Sequence, residues 1–216
     1  MIGEMNMKRS LGILLAGTLL LSMTACSGWG KGEGFDAKQY VEDVLEAKYH
    51  QDYTAYAKGL GISKEEAKEQ LTSEFDASLV KKLAGIEMIM TEEEIAQNQQ
   101  IEADVRSKIQ FEVQEAVKNE DGTYQVDVVV TPIDAYELFQ DAFFNNIQEA
   151  VNDGATEEDY MNVYLESLQY SVDNAPEAEQ TTYTFYVLFE ENKDGEKIYY
   201  IHEQEMLEFD RVATCQ

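Results

Sequence analysis

Two stretches of strict alternation, each turning on an Asn-x-Asp-Gly tetrapeptide, restrict the fold of this chain more than anything else in it. Ile109, Phe111 and Val113 alternate with charged or amide residues, Asn119-Glu120-Asp121-Gly122 follows, and Tyr124, Val126, Val128 and Val130 return. Further on, Tyr183, Phe185, Val187 and Phe189 alternate with Thr182, Thr184 and Tyr186. Asn192-Lys193-Asp194-Gly195 then turns the chain into Ile198-Tyr199-Tyr200-Ile201. Successive side chains of a strand point to opposite faces, so a period of two means one apolar and one wet face. Asp-Gly between two such runs is hairpin chemistry. The chain therefore carries two β-hairpins. Their likeness admits a duplicated helices-then-hairpin unit, but turn residues recur for local reasons and explain it more cheaply.

Elsewhere the apolar period is helical. Asp36 caps a helix with Tyr40, Val41, Val44, Leu45 and Tyr49 at i, i+3/i+4 spacing. Tyr49, Tyr53 and Tyr56 extend it as an aromatic ridge, read first as core and second as a candidate binding ridge. Gly59 and Gly61 break it, and Ser63-Lys64-Glu65-Glu66 starts a second helix with Leu71, Phe75, Leu79 and Leu83, ended by Gly85. A third runs from Thr91 to Arg106; with only Ile95, Ile101 and Val105 on its apolar side, it is expected at the surface. Pro132 stops the first hairpin and Asp134 caps a fourth helix bearing Leu138, Phe139, Ala142, Phe143, Ile147 and Val151, as far as Gly154. Thr156 opens a fifth with Tyr160, Met161, Tyr164, Leu165 and Leu168, closed at Ala175-Pro176. The expected architecture is α+β: an antiparallel sheet of about four strands packed against about five helices, in a single domain over residues 35–216. The second sheet face would be partly wet or line a shallow concavity.

The amino-terminal part has another character. Residues 8–26 read KRSLGILLAGTLLLSMTAC: two cations, an apolar run from Leu11 to Leu21, then small residues and a cysteine. This is the layout of a secretory signal, and the run falls short of the about 20 residues of a membrane span. Met23-Thr24-Ala25-Cys26 resembles the bacterial lipobox, whose cysteine is diacylglycerol-modified and becomes the first mature residue. Met23 stands where that motif carries Leu, Val or Ile. Residues 1–25 are thus expected to be a lipoprotein signal peptide starting at Met1 or Met7, with Cys26 as the lipid attachment residue. A plain secretory peptide or a short buried helix are the alternatives. Residues 26–34 form a glycine-rich tether. Eight such residues reach about 16 Å, with Trp29 either at the lipid interface or simply linker.

Charge and cysteines narrow the partners. A formal net charge of −27 argues against nucleic acid and against a domain lying on anionic lipid, and suits a soluble, monomeric domain. Acylation of Cys26 would leave Cys215 without an intramolecular disulfide partner. Ser78-Leu79-Val80-Lys81 matches Ser-x-x-Lys, but no Ser-Asp-Asn or Lys-Thr-Gly accompanies it. His50 and His202 lack neighbours at metal-ligand spacing, and the acidic turns at residues 119–122 and 152–154 lack the oxygen alternation of a calcium loop. No cofactor or metal is expected.

Cys26 with its glycine-rich tether, then Phe35-Asp36-Ala37 with Tyr40-Val41, Leu45, Tyr49 and Tyr53, resembles the small surface lipoproteins of Gram-positive, clostridial-type bacteria. The resemblance continues through Tyr124-x-Val126-x-Val128-x-Val130-x-Pro132-x-Asp134. It implies a surface-anchored α+β domain, and Cys26 is the one functional position it carries. The expected function is that of a lipid-anchored protein at the extracytoplasmic face of the cell membrane, a non-enzymatic binding or interaction module. Its ligand would be a protein, peptide or small molecule, taken on the exposed sheet face and neighbouring helix ends, with Tyr49, Tyr53 and Tyr56 a more distant candidate. The alternatives are a solute-binding component of a transporter, which wants two lobes around a cleft, and a cell-envelope hydrolase.

Overall fold

A single antiparallel sheet organises the molecule. In the computed structural model, which describes residue 29 and residues 34–72, 91–193 and 195–215, the strands are β1 (Gln110–Val113), β2 (Val117–Lys118), β3 (Tyr124–Thr131), β4 (Thr181–Glu191) and β5 (Lys197–Ile201). Their order is β1-β3-β4-β5, with short β2 also pairing β3, so the two hairpins join through β3 and β4. Register follows the sequence period: Val126 lies opposite Phe185, Tyr124 opposite Val187 and Val187 opposite Ile201, all on the buried face. Gln125, Asp127, Thr182, Thr184 and Tyr186 take the other face, where Tyr186 is 43% exposed and the Thr184 hydroxyl donates to Asp127 Oδ1 at 2.6 Å.

Among the described residues the helices are α1 (Ala37–Tyr49), α2 (Tyr53–Leu60), α3 (Lys64–Thr72), α4 (Glu92–Ser107), α5 (Ala135–Asn152), α6 (Glu157–Asn174) and α7 (Glu203–Ala213). The fold is α+β. α1 packs on β1 and β3 and α7 on β4, burying Tyr40, Val41, Leu45, Tyr49 and Phe209 against Val126, Val128 and Phe185. α5 and α6 form a helical hairpin against α4, with a second core of Ile101, Phe139, Met161, Tyr164, Leu165 and Val172. Val105 of α4 touches both cores.

Four sequence expectations change. The first helix is two, because Gln51 takes a left-handed backbone (φ 57°) and Asp52 caps a fresh start through Thr54. α4 is no surface helix: Ile101 and Asn98 are 2% and 0% exposed, covered by α1 and α6. α7 follows β5 without having been anticipated, its start capped by His202. The packed domain also begins before Phe35, since Trp29 is 3% exposed in the main core and is neither tether nor lipid-facing. Its indole N–H donates to Asp43 Oδ2 at 2.6 Å, and its carbonyl accepts from Asp36 N at 2.8 Å. Residues 1–25, Cys26 and the second helix's Phe75, Ser78, Leu79, Lys81, Leu83 and Gly85 lie outside the described residues.

Candidate functional site: an acidic groove beside an edge strand

The apolar stripe of α1 is buried, which leaves Lys38, Gln39, Glu42 and Glu46 along one polar side of the helix. β1 is the edge strand next to it. Between them runs a groove of about 610 Å³ whose lining includes those four residues with Asp36, Phe111, Glu112, Val113 and Glu115. Five of these side chains are carboxylic and one is cationic.

Register determines what the strand shows the groove. Gln114 N donates to Asp127 O at 2.8 Å, which continues the pairing of Glu112 with Val129 and Gln110 with Thr131. In an antiparallel ladder the residues alternate between bonding the neighbour and pointing away from it. The N–H and C=O groups of Phe111 and Val113 therefore face outward, as does the Ile109 carbonyl. That carbonyl is taken by His50 Nε2 at 3.0 Å, while His50 Nδ1 meets Glu46 Oε2 at 2.8 Å and the ring stacks on Phe111. His50 closes one end of the groove. At the other, Lys38 Nζ donates to Glu115 Oε1 at 2.7 Å, a bond that raises the lysine pKa above its ordinary value. Glu42 and Glu112 carry no side-chain hydrogen bond or ion pair within the described residues; Glu42 lines the α1 side of the groove, and Glu112, alternating with Phe111 and Val113, stands on the opposite face of the strand.

A second polar cluster is mostly buried. Asp210 of α7, 2% exposed, accepts from Tyr49 O–H through Oδ1 and from Lys48 Nζ through Oδ2 at 2.7 Å. Arg106 and Glu102 on α4 lie alongside, and Asn98 donates to Glu102 Oε1 at 2.9 Å while accepting from the Tyr164 hydroxyl. Burial lowers the Lys48 pKa against the pull of Asp210, and burial raises those of Tyr49 and Glu102. These groups bond one another between elements, while Arg106 Nε is buried without a hydrogen-bond partner and the Arg106 and Glu102 side chains stay 21% and 18% exposed.

The sequence candidates fall elsewhere. Tyr49 and Tyr56 are 1% and 0% exposed and belong to the core, with only Tyr53 half-buried, so the three form no surface ridge. The break at Gln51 is the reason, because it turns α2 back against Trp29. Cys215 follows α7, exposed and unbonded, its thiol pKa raised by burial and Asp134. Residues 119–122 make a turn, Gly122 N donating to Asn119 O at 3.0 Å. Among the described residues, no group of three or more His, Cys, Asp and Glu side chains is placed to hold a metal, and no helix is long and apolar enough to cross a membrane. The groove itself went unread, although the i, i+4, i+8 spacing of Lys38, Glu42 and Glu46 marks one polar side of a helix. No protein-family model matches the chain, and neither a curated protein nor a solved structure is significantly similar to it.

Proposed function

We propose that this protein is a lipoprotein anchored through Cys26 at the extracytoplasmic face of the cell membrane, and that its domain is a non-enzymatic binding module. The groove between α1 and β1 supports the second half of this reading. It sets solvent-facing carboxylates beside a strand edge that is unpaired among the described residues, which is recognition chemistry and not bond-making chemistry. The amino-terminal sequence supports the first half. The seat of Trp29 adds to it, because only two residues separate a packed side chain from Cys26, and three steps of extended chain reach about 10 Å. An anchored domain would be held close to the bilayer, with the Asp36 end of the groove toward it.

Two measurements test the reading. Fractionation of a lipoprotein-processing host should find the protein in membranes and the Cys26→Ala variant released; retention of that variant would refute the anchor. Selection of a displayed random peptide library on the full chain should return binders that protect the outward amides of Phe111 and Val113 from hydrogen exchange. A selection whose binders leave those amides unprotected removes the groove as the binding surface.

A further inference from the structure

We infer that the groove takes an extended lysine- or arginine-rich segment of another protein, which pairs with β1 as an additional strand. This rests on the binding-module reading and specifies its partner. The outward N–H and C=O groups of Phe111 and Val113 repeat every second residue, the spacing at which an incoming strand offers its own. The edge is bounded: His50 holds the Ile109 carbonyl at one end and the Lys38–Glu115 bridge closes the other. What lies between is four residues of strand, about 13 Å, enough to pair a short segment.

Charge selects the occupant. Alternate side chains of an added strand would point to the α1 side, toward Glu42 and Glu46, and to the opposite side, beside Glu112. Both places favour a cation. The stem of a lysine or arginine on the α1 side can lie over Phe111 and Val113 while its head meets the carboxylates. A second copy of this chain is disfavoured by the same groups, because β1 pairing with β1 would bring Glu112 near its own counterpart in a molecule of net charge −27. A short charged edge ordinarily guards a sheet against such pairing. Here the guard is predominantly acidic, five carboxylates against Lys38, which Glu115 already engages, so it disfavours acidic strands and admits basic ones.

The test uses the detergent-solubilised full chain and an acetylated, amidated decapeptide of alternating lysine and valine. It should bind with an affinity that falls as salt rises, and should protect the amides of Phe111 and Val113 from exchange. Glu42→Lys with Glu112→Lys should weaken binding by about tenfold or more. Glu149→Lys with Glu166→Lys, the same charge change on exposed faces of α5 and α6, should alter it by less than about twofold. Trp29 fluorescence verifies that both double variants are folded. A decapeptide N-methylated at every residue keeps its charge, has no N–H on either edge with which to pair and should give no protection. Equal weakening by the two double variants, or protection by the N-methylated peptide, overturns the proposal. Groove-protecting library binders that are acidic or neutral would overturn the cationic assignment while leaving the binding-module reading in place.

Discussion

A Cβ placed on Gly59 would lie 2.1 Å from a ring carbon of Trp29, with two more ring carbons within 2.6 Å. Neither the indole, edge-on to Tyr40 and bonded to Asp43, nor the helix backbone has room to retreat. Gly59→Ala should therefore destabilise the fold by about 1–3 kcal/mol through overpacking. It should also shift the emission of the chain's one tryptophan toward that of a wetter indole. Denaturant titration followed by Trp29 fluorescence reads both, and an unchanged spectrum with unchanged stability would contradict the packing described. Asp210 offers a second single-residue test. Tyr49→Phe removes the donor to Oδ1 and leaves that oxygen buried beside Lys48, a loss of about 1–3 kcal/mol. Neither contact could be read from the sequence. Periodicity reports which side of an element is apolar, and is blind to the meeting of Trp29 with Gly59 or of Tyr49 with Asp210 across the chain.

Elements were legible in proportion to how local their causes are. Both hairpins follow from alternation and turn residues, and β3 and β4 pair with Val126 opposite Phe185 as the shared apolar face requires. The capping box at Thr91, with Glu94 N donating to Thr91 Oγ1 at 3.2 Å and Thr91 N to Glu94 Oε2 at 2.6 Å, marks the start of α4 in structure as in sequence. The failures have different origins. α1 and α2 looked continuous because their aromatic spacing survives the break at Gln51, a residue with no turn signature. α7 was overlooked although Met206, Phe209 and Ala213 keep helical spacing; the strand before it hid its start at His202. Half of the candidate groove was visible as the polar side of α1, but its other wall is set by tertiary placement of β1. The first hairpin turn gives the prediction at this scale. Gly122 has φ +90°, and a Cβ there would sit 2.9 Å from Lys197 Nζ and 3.3 Å from a Phe189 ring carbon. Gly122→Ala should cost about 1–2 kcal/mol of left-handed backbone strain. The flexible lysine end can yield, so the effect should appear as a lower denaturation midpoint with an unchanged fold by circular dichroism.

For the molecule as a whole, the buried tyrosines determine the alkaline limit of stability. Burial raises the pKa of Tyr49, Tyr164 and Tyr183 strongly; carboxylates beside them, Asp210, Glu102 and Glu205 respectively, push the same way. Tyr53, Tyr136 and Tyr199 are raised less, again mainly by burial. The unfolded chain ionises its tyrosines near their ordinary value of about 10, whereas the native chain keeps these protons well beyond it. Above that pH the native state binds more protons than the unfolded state, so stability falls as pH rises. Below it both states hold the protons and this contribution is fully present. Lys48 opposes the trend: its lowered pKa makes the native state release a proton before the unfolded one does, which favours folding as pH climbs toward 10.5. One lysine is set against three strongly shifted tyrosines, and each newly ionised group adds to a net charge already at −27, so the fall prevails. Denaturant midpoints should hold steady from about pH 8 to 9.5 and drop steeply beyond about pH 10. The tyrosinate absorbance of Tyr49, Tyr164 and Tyr183 should appear in one cooperative jump at unfolding. Smooth ionisation of these three near about pH 10, with the fold intact, would show that their rings are not held as described.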